Sequence, residues 1–160
     1  MKTKITLMTV MMAVALTVSA MPFTDAREKS LFLSDKMAYE LNLTEAQLEA
    51  VYEINLDYFL GVDDESDVFG CQWEIRNRDL GHVLSDLQYN HYIACDWLSK
   101  PFVCDANGWS LAVNERYKEG KYLMDQPEVA MTYQGGHNQI ESSFYAGKNF
   151  DSPQFLGQND

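Results

Sequence analysis

No basic residue stands between Lys36 and Arg76, a stretch that carries ten acidic ones. Over all 160 residues, 12 Lys and Arg face 24 Asp and Glu, a formal charge of −12 that becomes −14 once Lys2 and Lys4 are set aside. That balance opposes binding to nucleic acid or anionic lipid. It suits a soluble protein that meets cations or basic partners. Proline is missing from residues 25–99, where glycine occurs only at 61, 70 and 81. Little there interrupts a helix. Cysteine is scarce, with Cys71, Cys95 and Cys104 alone. If residues 68–98 form one helix, Cys71 and Cys95 stand ~36 Å apart, beyond disulfide reach. Cys95 and Cys104 flank Lys100-Pro101 and are the plausible pair, leaving Cys71 as a buried thiol or an intermolecular link. Gly-Xaa-Ser-Xaa-Gly, His-Glu-Xaa-Xaa-His and phosphate-binding glycine loops are absent.

Only one apolar run is long, Ile5 to Val18, and it is short for a membrane span. Lys2 and Lys4 precede it, and Val18-Ser19-Ala20 places small residues where a signal peptidase cuts. Residues 1–20 therefore read as a secretory signal peptide. The rest suits a single domain over 21–147, with 148–160 as a flexible tail.

The sequence predicts three N-terminal helices. The first runs from about Ala26 to Leu41, with Asp25 as N-cap, an apolar face of Leu31, Met37, Ala38 and Leu41, and Asn42 as a left-handed stop. The second starts at Thr44, whose partner in a capping box is Gln47, and ends at Gly61. The third is long, Asp67 to Leu98, with Arg76, Leu80, Val83, Leu87, His91, Ala94 and Leu98 on one stripe. Beyond Pro101, residues 110–117 with 121–124, and 128–134 with 137–145 around Gly135-Gly136, read as two hairpins. The expected class is α+β: three N-terminal helices followed by a small antiparallel sheet of two hairpins.

Glu45, Glu49, Glu53 and Asp57 recur every fourth residue of the second helix. Like charges at this spacing oppose a helix by a few tenths of a kcal/mol per pair. The leading expectation is a solvated face; the alternatives are Arg76 and Arg78 lying across it, or a cationic partner. On the apolar face of the same helix Leu48, Tyr52, Asn55 and Phe59 are the candidate binding residues for a peptide or protein segment. Asp63, Glu65, Asp67 and Glu74 match positions one, three, five and twelve of a calcium loop, although Val68 stands where that loop needs glycine. They are the candidate metal ligands, with calcium as the only cofactor considered. His82 between Asp79 and Asp86 reads as a surface ion pair, and His91 with Cys95 supplies too few ligands for zinc. No catalytic residue is assigned. Trp109, Tyr117, Tyr122, Tyr133, Phe144 and Tyr145 pack the sheet or, as an alternative function, stack on a glycan.

LNLTEAQ, residues 41–47, resembles the Leu-Thr-Xaa-Xaa-Gln motif of the Spy and CpxP family of periplasmic, all-helical stress chaperones, with Leu43, Thr44 and Gln47 at the matching positions. Members usually carry two copies; one is read here. The resemblance implies capture of unfolded chains on a concave helical surface. The stretch REKSLFLSDKMAYELNLTEAQLEAVYEINLDY and the later TYQGGH are also similar to secreted proteins of gut-type bacteria, a likeness that carries no activity. The expectation is an exported, non-enzymatic binding or stress-adaptor protein, with a calcium- or glycan-binding module as the alternative.

Overall fold

A computed structural model describes residues 20–118 and 121–151, except the side chain of Met131. The run assigned to a signal peptide, apart from Ala20, and the last nine residues lie outside the described residues. The helices are α1 (Phe23–Leu41), α2 (Glu45–Gly61), α3 (Cys71–Val83), α4 (Asp86–Ala94) and the single turn α5 (Asp96–Ser99). One antiparallel hairpin follows, β1 (Phe102–Asp105) and β2 (Gly108–Leu111), paired from Phe102↔Leu111 to Asp105↔Gly108. Residues 126–150 then return over the helices as a strap whose only described helical piece is a 3-10 turn, Glu128–Met131. None of the described helices is long and apolar enough to cross a membrane.

The axis of the molecule is α2. Every residue from 46 to 59 is buried. The cause lies in its apolar residues, which run all the way round: Leu48, Tyr52 and Phe59 on one side, Ile54, Leu56 and Tyr58 on others. Such a helix needs cover on every face. α1 and α3 pack against it, and the strap takes the remainder. Asn42 stops α1 in the left-handed region, φ 50 and ψ 57, as expected. The Thr44–Gln47 capping box forms. The cap at Asp25 does not; α1 begins earlier, after Pro22, with no side-chain cap.

Among the described residues five α-helices replace the predicted three. The expected long third helix is cut at Leu84, because Ser85 caps a new helix with Gln88. It is cut again at Cys95, which separates α4 from α5. Among the described residues one hairpin stands in place of the predicted two, and only Ser110 and Leu111 of it fall in a predicted strand. Asp105 accepts from the Asn107 N–H at 2.7 Å, and Gly108 completes the turn at φ 107. Residues 112–115, expected in a strand, form a 3-10 turn after β2. Two amides of the strap, those of Gly136 and His137, are held by the Asp57 carboxylate of α2 instead of a strand partner. All three cysteines are free.

Two cations are fixed inside. The Arg76 guanidinium, 1% exposed, reaches Asn55 Oδ1 at 2.9 Å, Tyr92 Oη at 2.7 Å and the Leu98 carbonyl at 3.0 Å. It thereby ties α2, α3, α4 and α5 at one point. Lys36, also 1% exposed, pairs with Asp35 at 2.5 Å among the rings of Phe32, Tyr117 and Tyr122. Asp35 in turn accepts from the Leu123 and Met124 N–H groups, seating that loop on α1.

Candidate functional site

The acidic ladder of α2 is not solvated. Glu45 is exposed, but Glu49, Glu53 and Asp57 are only 4%, 5% and 3% exposed. The strap covers them. Asp57 accepts from Tyr133 Oη at 2.6 Å, the Gly136 N–H at 2.8 Å and the His137 N–H at 2.9 Å. Glu53 accepts from Tyr145 Oη at 3.0 Å and meets His137 Nδ1 at 2.9 Å. Gly135 makes the approach possible. Its φ is 97, and a Cβ there would lie 3.0 Å from Asp57 Oδ1 and 3.2 Å from Leu60 Cδ1. The Gly-Gly pair thus serves close approach to a carboxylate rather than a hairpin turn. Burial, then the neighbouring Glu53 charge, pushes the Tyr145 hydroxyl far above its usual range, so it remains a donor. The Phe144 ring stacks on His137 at 3.6 Å.

Neither candidate arginine lies across the ladder. Arg76 points into the core. Arg78 pairs with buried Asp79 at 2.8 Å and donates to the Gln139 and Ile140 carbonyls, clamping the strap from α3. Burial raises the Asp79 pKa against the opposing pull of Ser143, Arg78 and His82. His82 and His91 are exposed.

Glu49 is also held above its ordinary carboxylate range, by burial first and then by Glu45, Glu53 and Glu128. A carboxyl whose folded pKa is raised binds its proton more tightly in the folded state. Its ionisation therefore opposes folding at neutral pH, and the penalty fades as pH falls through the folded pKa toward 4.5. Glu49→Gln removes the repulsion with Glu45, Glu53 and Glu128 and is expected to stabilise the protein by ~0.5 kcal/mol at pH 7. Urea melts at pH 7 and pH 4 check it: the gain over the parent should shrink at the lower pH.

The four residues assigned to a binding face are all inside. Leu48 is 7% exposed, and Tyr52, Asn55 and Phe59 are 0% exposed. Asn55 donates to Ser34 Oγ at 2.9 Å and accepts from Arg76. The four candidate metal ligands do not converge: among the described residues no group of three or more His, Cys, Asp or Glu side chains comes together to hold a metal ion. The Asp67 carboxylate is turned onto the N–H groups of Asp63 and Asp64, completing the capping box that Asp64 opens on the 3-10 turn Glu65–Asp67.

A second surface feature emerges where α4 begins. Residues 84–88 read LSDLQ, matching LTEAQ at 43–47, and both form complete capping boxes. The two boxes are joined. Gln47 Nε2 donates to Gln88 Oε1 at 2.7 Å, and Gln88 Nε2 to Gln47 Oε1 at 3.0 Å. Gln47 also donates to the Val83 carbonyl at 3.0 Å, and Gln88 to the equivalent Asn42 carbonyl at 3.3 Å. This is a local two-fold arrangement of helix starts. Beside it, Glu40, Leu41, Asn42, Ser85, Leu87, Gln88, Asn90 and His91 line an open groove of about 740 Å³. Leu87 stands 81% exposed there, and Ile93 further along α4 is 52% exposed. The spacing Ser-Xaa-Xaa-Gln was the signal that could have revealed this helix start; the apolar stripe running through Val83 and Leu87 obscured it.

The chain matches no family model, no curated protein and no solved structure.

Proposed function

We propose that the chain is an exported, non-enzymatic binding or stress-adaptor protein that holds a peptide or protein segment on its helical surface. The observation that carries this reading is the groove between the end of α1 and the start of α4, with Leu87 81% exposed on it. A large aliphatic side chain held out on a short helix, beyond the packing of the described residues, suits contact with another chain. The paired Leu-Thr/Ser-Xaa-Xaa-Gln boxes supply the two copies usual in the Spy and CpxP family and support a kindred role. Export rests on the character of residues 1–20. A non-catalytic role is favoured because Glu53 and Asp57 are engaged in holding the strap.

The test is protection of a client. Purified protein at stoichiometric excess is expected to suppress light scattering by a reduced, unfolding test protein. Leu87→Asp should remove at least half of that protection. Full aggregation in the presence of excess parent protein would end the reading.

A further inference from the structure

α2 and α4 begin alike, but only one of the two beginnings is covered. Thr44 and Ser85 are equivalent in the two-fold cap. The Thr44 hydroxyl is used twice: it accepts from the Gln47 N–H at 3.1 Å and donates to the Phe150 carbonyl at 2.7 Å. Phe150 is 4% exposed, with the Tyr145 ring 6.3 Å away. Ala46, two residues past the cap, is 3% exposed. The end of the strap thus closes the start of α2.

The start of α4 has the same parts without the cover. Ser85 Oγ accepts from the Gln88 N–H at 3.3 Å, and among the described residues no acceptor takes its O–H. Leu87, the counterpart of Ala46, is 81% exposed. Both Ser85 and Leu87 line the groove. Asp86 is exposed between them in the first turn of α4.

We infer that this groove takes an extended peptide of another protein whose aromatic or large aliphatic side chain rests on Leu87 and Leu41 while its backbone carbonyl accepts from the Ser85 hydroxyl, as Phe150 does at Thr44. The inference rests on the peptide-binding reading and specifies the segment that reading leaves open. Charge complementarity adds a second requirement. Asp86 and a protein charge of −12 favour a Lys or Arg beside the apolar residue. The strap itself has that form, with Lys148 two positions before Phe150.

The probe is the capped pentapeptide Gly-Lys-Asn-Phe-Asp, the sequence of residues 147–151, titrated into the isotope-labelled protein and followed by amide NMR shifts. Shifts are expected at Ser85, Leu87, Gln88 and His91, and are lost when the peptide Phe becomes Ala. Ser85→Asp keeps a capping acceptor but removes the O–H donor. It and Leu87→Asp should each weaken binding at least tenfold while melting within a few degrees of the parent. Absent shifts at α4, or shifts that both variants retain, overturn the inference. So does a dimer in sedimentation that Leu87→Asp dissolves, which would make a second copy the occupant. The two readings separate cleanly. Client protection that neither variant disturbs keeps the binding function and removes this groove from it. Peptide shifts at α4 without client protection keep the groove and end the adaptor role.

Discussion

Arg76→Ala is expected to lower stability by at least ~2 kcal/mol, at about 1–3 kcal/mol for each buried acceptor left without its donor. Against a typical total of roughly 5–15 kcal/mol, this is a large share. The reason is specific. Truncation strands Asn55 Oδ1 and the Leu98 carbonyl and leaves Tyr92 Oη with only its bond to Asn77 Oδ1. It also opens a cavity between the rings of Tyr58 and Tyr92, which flank the guanidinium at 5.6 and 5.5 Å. Arg76→Lys should fare little better, because one ammonium cannot reach acceptors on α2, α4 and α5 together. Arg76→Met, which fills the space without a charge, should lie between the parent and the alanine variant. Thermal unfolding followed by circular dichroism measures the order. An alanine variant within ~1 kcal/mol of the parent would show that the guanidinium does not hold the helices together.

Asp57→Ala is expected to release the strap before it unfolds the helices. Tyr133 Oη and the Gly136 N–H lose their acceptor at once, and the His137 N–H keeps only Tyr133 Oη, at 3.1 Å. Stranded donors cost about 1–3 kcal/mol each, so a loss of at least ~2 kcal/mol is expected if the strap stays seated. The strap lacks ladder bonds and can escape part of that penalty by lifting off. Hydrogen exchange should then quicken at residues 133–145 while α1 and the inner face of α2 stay protected. Uniform loss of protection across the chain would show instead that strap and helices unfold as one unit.

Much of the first half is legible from local chemistry. Asn42 ends a helix because it tolerates positive φ, and Thr44 with Gln47 starts one because their side chains satisfy orphan amides. Ser85 with Gln88 speaks the same language. The partner of the acidic ladder could not be read in the same way. A search for opposite charge finds Arg76 and Arg78, yet the strap answers Asp57 with two backbone amides and a phenol, which carry no charge and follow no spacing. His137 and Tyr145, the partners of Glu53, come 84 and 92 residues later. The central place of α2 was written in Ile54, Leu56 and Tyr58, apolar residues off the face that Leu48 and Phe59 define. Reading one face gives an amphipathic helix with Leu48, Tyr52, Asn55 and Phe59 on its apolar side; counting all faces gives a buried axis.

The aromatic box around Lys36 has a practical consequence. A primary amine with 1% exposure, paired to Asp35 and ringed by Phe32, Tyr117 and Tyr122, is shielded from acylating reagents for as long as α1 and the 121–124 loop remain together. Exposed Lys100 and Lys118 have no such shelter. The ratio of label on Lys36 to label on those two therefore turns the molecule into its own chemical clock, counting how often that corner of the protein breathes open.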